Sequence, residues 1–304
     1  MRRSVCRVRL FSGYARHLQV VAVAGIIRQV VSMDIINSLP PRSALYMPAS
    51  NARAIEKARS LPADMIILDL EDAVPPGMKD EARMAARAAA ETGFGGRLLA
   101  IRINGVGSAP HMNDVVVVKQ SACDIVVVPK VESAEVAADL VERLRKPIIV
   151  MIETPRGVLH APDICAVDGV VGVFVGANDL ANELRLPPNA PRAALTMALQ
   201  SILLSARAAG IWVFDSVYND LNNPEGLVAE CTEGRMMGFD GKTLIHPNQI
   251  LAANAAFSPS ESEIEDARAL VAAASGGAER FRDRMIETMH VDAARRILAR
   301  LAAD

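Results

Sequence analysis

The chain has 304 residues, 51 % hydrophobic and 22 % charged, with a formal net charge of -2, which suits one large α/β domain with extensions. Nothing in that balance favours nucleic acid or an anionic membrane, so an anionic ligand has to meet local positive charge. The four cysteines, Cys6, Cys123, Cys165 and Cys231, show none of the paired spacings of zinc sites and read as reduced thiols of a cytosolic protein.

The first 33 residues carry six arginines and no acid. Their valine and isoleucine run is broken by Arg28 and is too short to span a bilayer. Such a start suits an organelle transit peptide, which would make the protein mitochondrial. The preferred reading takes Met33 as the initiator and the preceding residues as a gene-model artefact or a disordered arm, because a compact domain pattern begins right after it. The expected division is an extension over 1–38, a barrel over 39–258 and a helical tail over 259–304.

From Ser43 onward, short apolar runs alternate with longer helical stretches, the signature of βα units and a parallel sheet. Eight runs are expected as strands, and polar residues follow each one. Leu45–Tyr46 leads to Pro48 and Asn51, Met65–Leu68 to Asp69, Glu71 and Asp72, and Leu98–Ile101 to Arg102 and Asn104. Ile125–Val128 leads to Pro129 and Lys130, Ile148–Ile152 to Glu153, and Val170–Val175 to Gly176, Asn178 and Asp179. Ile211–Phe214 leads to Asp215, and Gly241–Ile245 to His246 and Pro247. Eight repeats with polar residues at the exits predict a closed (β/α)8 TIM barrel. Between them, alanine-rich amphipathic helices are expected over Lys79–Glu91, over Ser133–Arg145 with Ser133 as N-cap, and over Arg192–Ala209 ending at Gly210. Beyond the eighth unit the pattern gives a helix over Glu261–Ala274, a polar linker over Ala278–Arg284 and a last helix over Val291–Ala303. Glycines in this tail make a hinge, so it could act as a lid or dock on a neighbouring subunit.

The strand exits gather Asp69, Glu71, Asp72, Glu153, Asp179 and Asp215 with Arg102, Lys130 and His246 on one rim. Each carboxylate alone could simply cap the next helix. Together they call for a cation, and Glu153 with Asp179, from consecutive units, suffices for a Mg²⁺ that keeps waters and takes further ligands from a substrate. Arg102 can pair bidentately with a substrate carboxylate or polarise a carbonyl, or form an ion pair with Glu71 or Asp72. Lys79 and Arg83, one turn apart near a helix start, suit a phosphate or a solvated face. His246 before Pro247 is either a loop-end ligand contact or structural. No dinucleotide fingerprint, P-loop or nucleophile elbow is present.

Across Arg42 to Pro259 the segments RSALYMPASN, DLEDAVPPGMKDEAR, IRIN, VVVPKVES, MIETPRGVLH, VGANDLA, FDSVYND and GFDGKTLIHPNQI resemble the citrate lyase beta subunit and malyl-CoA lyase family. The resemblance implies a Mg²⁺-dependent carbon–carbon lyase. Its substrate is a malyl-, methylmalyl- or citramalyl-CoA-like 3-hydroxyacyl thioester, and its products an acyl-CoA and an oxo acid. A citrate lyase subunit acting on a carrier-bound citryl thioester, a malyl-CoA-type thioesterase and a non-catalytic acyl-CoA binder are the alternatives. It further implies Glu153 and Asp179 as metal ligands, Arg102 on the oxo-acid oxygen with Glu71 and Asp72 behind it, Lys79 and Arg83 on coenzyme A phosphates, and His246 and Pro247 near the nucleotide. A cytoplasmic homotrimer or homohexamer is implied, with no nucleic-acid or membrane partner. The family tail carries an aspartate that covers a neighbouring subunit's site. Here Asp283-Arg284-Met285-Ile286-Glu287 puts Glu287 at that position, PASN replaces the common PGDN, and Asn178 stands where glutamate is usual.

Overall fold

The computed structural model describes Ile35 and residues 38–275 and 277–301; the expected N-terminal arm and the Met33 start lie almost wholly outside these. Eight parallel strands close into a barrel in sequence order, and β8 pairs back onto β1. They are β1 Ser43–Pro48, β2 Met65–Asp69, β3 Leu98–Arg102, β4 Ile125–Val128, β5 Ile148–Ile152, β6 Val170–Val175, β7 Trp212–Asp215 and β8 Gly241–Leu244. Asp69, Arg102 and Asp215, expected just after their strands, are the last residues in them, and Ile211 and Ile245 fall outside β7 and β8.

Strand side chains alternate between two faces, and two cores follow. Ala44, Met65, Ile67, Ala100, Ile125, Val127, Ile149, Met151, Phe174, Trp212 and Phe214 fill the barrel interior. Their neighbours, among them Leu45, Ile66, Leu68, Ile101, Val126, Val150, Val213 and Leu244, pack outward against the helices. The same alternation decides which exit residues face the barrel axis. Counting on from the interior residues sends Tyr46, Asp69, Arg102 and Glu153 inward and Asp215 outward.

The expected helices form with the expected ends. Gly210 closes the helix Thr196–Ala209 in a left-handed conformation, after a short 3₁₀ turn over Arg192–Leu195. Ser133 caps Ala134–Leu144 by accepting from the Val136 amide. The other helices used below are α1 Ala177–Glu183, which follows β6, and α2 Pro224–Met237, which precedes β8.

The tail differs from expectation. The stretch read as a polar linker pairs instead, Glu279–Phe281 with Arg284–Ile286, as an antiparallel hairpin. It packs with the helices Glu261–Ala273 and Thr288–Leu301 around Ala267, Leu270, Ile286, Val291 and Ala294, a small core of its own. An ion pair of 2.8 Å between Arg235 and Glu263 ties this unit to the last turn of α2, and Arg300 donates to the Pro40 carbonyl. Both contacts sit at the end of the barrel where strands begin, opposite the strand exits. Among the described residues no helix is long and apolar enough to cross a membrane.

Candidate active site

The strand exits surround a cavity of about 350 Å³ lined by Tyr46, Asp69, Asp72, Arg102, Met151, Glu153, Asn178, Asp179, Thr243 and Ile245, among others. This is the end at which barrel enzymes carry their chemistry. Arg102 projects from the end of β3, directly opposite Asp69 in the β2–β3 register. Its Nε and Nη2 donate to the two Asp69 oxygens at 2.7 and 2.6 Å. Its Nη1 lies 3.2 Å from Glu71 and 3.5 Å from Asp72. Asp69 is fully buried and also accepts from the amides of Glu71 and Ala73, 2.9 Å each. Four donors leave that carboxylate no spare capacity, so it fixes Arg102. Burial works against the guanidinium charge, but its hydrogen bonds to Asp69 and the surrounding charges hold its pKa well above the ordinary value.

Glu71 behaves differently. Burial pushes its carboxyl up to about 8, with Arg102 pulling the other way. A carboxyl that keeps its proton near neutrality beside a guanidinium can give or take one during a reaction.

Across the cavity, Glu153 directly follows β5 and Asp179 lies in the first turn of α1. Glu153 is 2 % exposed and accepts from the Lys130 amide at 2.8 Å. Lys130 adopts φ 53°, a conformation that side chains rarely take. That turn aims its amide at Glu153 while its ammonium lies 3.6 Å from Asp179. Gly176 has to be glycine, because a Cβ there would fall 2.3 Å from a Glu153 oxygen. Burial first and the Asp179 charge second push the Glu153 carboxyl up. Two carboxylates that repel each other at a cavity wall fit a hard divalent cation with oxygen ligands, Mg²⁺ above all, whose remaining positions water or substrate would fill. Among the described residues no group of three or more His, Cys, Asp or Glu side chains gathers to cage an ion by protein alone.

The remaining candidates lie elsewhere. Lys79 lines an adjoining groove of about 460 Å³ with Glu71, Asp72, Asn104 and Lys130. Its ammonium donates to the carbonyls of Leu70 and Glu71 at 2.7 and 2.6 Å. Arg83, expected on a phosphate, is only 5 % exposed and pairs with Asp114 at 2.7 Å and with Asp80. It lines neither the cavity nor the groove, because Asp114 draws it against the next helix. His246 caps the 3₁₀ turn beginning at Pro247 by accepting from Asn248 at 3.2 Å. Neither His246 nor Pro247 lines the cavity, where Ile245 does.

Asp215 leaves the rim. It turns outward and meets Lys242 at 2.9 Å and Arg192 at 2.8 Å. Glu287 is exposed and lines neither the cavity nor the groove of its own chain. Sequence reasoning missed Tyr46 and Met151, which line the cavity. The alternation along β1 and β5 carries the signal, since Ala44 and Ile149 are interior residues two positions earlier. Asn178 is held by Asn219 through a reciprocal pair of hydrogen bonds of 3.2 and 2.7 Å.

Comparison with known proteins agrees with this geometry. The family model for HpcH/HpaI aldolase/citrate lyase matches residues 42–247. A (3S)-malyl-CoA thioesterase of Cereibacter sphaeroides is 43 % identical over 275 residues, covering 87 % of this chain and 95 % of that protein. The citrate lyase subunit beta of Escherichia coli is 32 % identical, covering 85 % and 92 %. Among solved structures, protein CitE from Mycobacterium tuberculosis in complex with magnesium, acetoacetate and coenzyme A superposes with a TM-score of 0.76 at 31 % identity, covering 88 % of this chain and 99 % of that one.

Proposed function

The chain belongs to the HpcH/HpaI aldolase/citrate lyase family, and from that premise we propose that it is a Mg²⁺-dependent carbon–carbon lyase of malyl-type 3-hydroxyacyl-CoA thioesters. The observation that carries the reading is Arg102, clamped by Asp69 and facing the same cavity as Glu153 and Asp179. Glu153 and Asp179 would hold the metal, which when bound supplies Lewis acidity toward the oxygens of the oxo-acid half. Arg102 holds the 3-oxygen from the other side, and its Asp69 clamp keeps the guanidinium in place without further reorganisation.

Cleavage requires a base to take the 3-hydroxyl proton. The C2–C3 bond then breaks, its electron pair passes into the thioester carbonyl as an enolate, and a proton returns to C2. The products are an acyl-CoA and an oxo acid, and the same steps in reverse are a condensation. Glu71, with its raised pKa, is suited to exchange a proton beside Arg102. Glu287 would serve a neighbouring copy of the chain, as the family's tail does, which fits its exposure and its absence from its own cavity. Lys79, on the adjoining groove, is the cation suited to the coenzyme A end; the buried Arg83 acts behind it.

Hydrolysis of the same thioester is the second reading, favoured by the 43 % identity to a (3S)-malyl-CoA thioesterase. Incubation with malyl-, methylmalyl- and citramalyl-CoA separates the two. The lyase reading expects equal amounts of oxo acid and intact acyl-CoA, lost on adding EDTA. Free coenzyme A with hydroxy acid and no oxo acid would replace it with hydrolysis.

A further inference from the structure

The Tyr46 phenol and the Arg102 guanidinium come from different strands, β1 and β3, yet both direct a donor at one atom, the sulfur of Met151 on β5. Tyr46 Oη lies 3.6 Å from Met151 Sδ, and Arg102 Nη1 lies 3.9 Å from it. All three residues line the main cavity. The Tyr46 ring also lies under the guanidinium, 4.7 Å from its carbon to the ring centroid, which fixes the angle between the two donors. A thioether is a weak acceptor, so two strong donors are held against a poor partner. Asp69 takes Arg102 Nε and Nη2; Nη1 carries two N–H bonds and lies 3.2 Å from Glu71 as well as facing the sulfur. Among the described residues the Tyr46 hydroxyl has no hydrogen-bond partner besides the sulfur.

We propose that Tyr46 is a catalytic residue that forms, with Arg102, a two-donor pocket for the 3-oxygen of the substrate, and that Met151 Sδ is a placeholder acceptor which this oxygen displaces. The inference rests on the lyase reading above. During cleavage the 3-oxygen begins as a hydroxyl and ends as the carbonyl oxygen of the oxo acid. Between those states it carries the most negative charge, and donors fixed beforehand stabilise it most at that point. Tyr46 gives a hydrogen bond and keeps its proton. Burial, followed by the charges of Asp69, Glu153 and Glu71, outweighs the pull of Arg102 and holds the phenol protonated. The placeholder's softness matters too: a carboxylate at position 151 would bind both donors strongly and compete with the substrate oxygen, whereas sulfur keeps them aimed and gives way.

The test uses the full-length protein with Mg²⁺, glyoxylate as the binding probe in calorimetry, and malyl-CoA as the substrate. Tyr46→Phe removes the hydroxyl and keeps the ring under Arg102. It is expected to lower kcat by about tenfold to a hundredfold, the range for a hydrogen bond to a charged group. The thioester KM should change little and glyoxylate binding should weaken. Met151→Leu, which keeps the bulk and removes the acceptor, is expected to bind glyoxylate as well as the natural protein or better. An unchanged melting temperature in each variant excludes a folding defect. Turnover and glyoxylate binding unaffected by Tyr46→Phe would overturn the Tyr46 assignment alone. A loss in Met151→Leu as large as that in Tyr46→Phe would overturn the placeholder. If the natural protein neither binds glyoxylate nor turns over any malyl-type thioester, the lyase reading falls, and this inference with it.

Discussion

At the barrel mouth the carboxylates of Asp69, Glu71, Asp72, Glu153 and Asp179 share two cations, Arg102 and Lys130. In the wall between β7, β8 and α2, Asp215 and Glu230 meet Lys242 and Arg192. Each group is anchored on a fully buried carboxylate at a strand end, Asp69 in the mouth and Asp215 in the wall. The wall group is close to balanced, does not line the cavity, and its core pair of Asp215 and Lys242 is fully buried. The mouth group has an excess of acid and opens on a cavity. Burial, with the neighbouring acids adding to it, pushes the carboxyl groups of Glu71 and Glu153 upward. Buried charge that is matched holds parts together; charge left unmatched beside a cavity is available to a ligand.

Substitutions in the two groups should separate stability from chemistry. Lys242→Met leaves Asp215 buried with one partner fewer, and the expected cost is about 3–5 kcal/mol in urea unfolding, the range for breaking a buried pair. Activity per folded molecule should stay close to natural. Arg102→Lys at the mouth should do the reverse, lowering kcat/KM on the order of 10²–10³-fold, as for a lost oxyanion donor. Lysine cannot reproduce the two-pronged grip on Asp69.

A smaller effect at the mouth is read by pH. Glu71 ionises near 8 when folded, above its ordinary 4.5. Between those values the folded state binds the extra proton, so its contribution to stability is largest below about 4.5 and falls as pH rises toward 8. Glu71→Gln removes that loss. Its melting temperature should gain on the natural protein as pH goes from 5 to 8. The smallest effect on stability is expected at exposed Glu287. Glu287→Ala should unfold within about 0.5 kcal/mol of the natural protein. If Glu287 serves a neighbouring copy, mixing the inactive Glu287→Ala and Arg102→Ala proteins should restore part of the activity.

Much of this architecture was legible in the sequence, because strand exits with polar residues recur eight times and the apolar runs are short. The placement of Arg102, Glu153 and Asp179 at the cavity was legible for the same reason. Asp215 was not, although the signal was present: Trp212 and Phe214 are interior residues, and a two-residue alternation from them turns position 215 outward. Arg83 was misread because a cation near a helix start looks alike whether it meets phosphate or a partner such as Asp114, distant in sequence. The tail hairpin escaped because Glu279–Phe281 and Arg284–Ile286 are three-residue strands with little apolar alternation. Tyr46 and Met151 looked like core residues, since their strands are apolar almost throughout, and only closure of the barrel brings them beside Arg102.

Calorimetric titration of Mg²⁺ into the metal-stripped protein tests the contrast between mouth and wall most directly. The natural protein and Glu230→Gln are expected to bind the ion alike, while Glu153→Gln and Asp179→Asn bind it far more weakly. Natural affinity retained in both mouth variants, or lost in Glu230→Gln, would contradict the account.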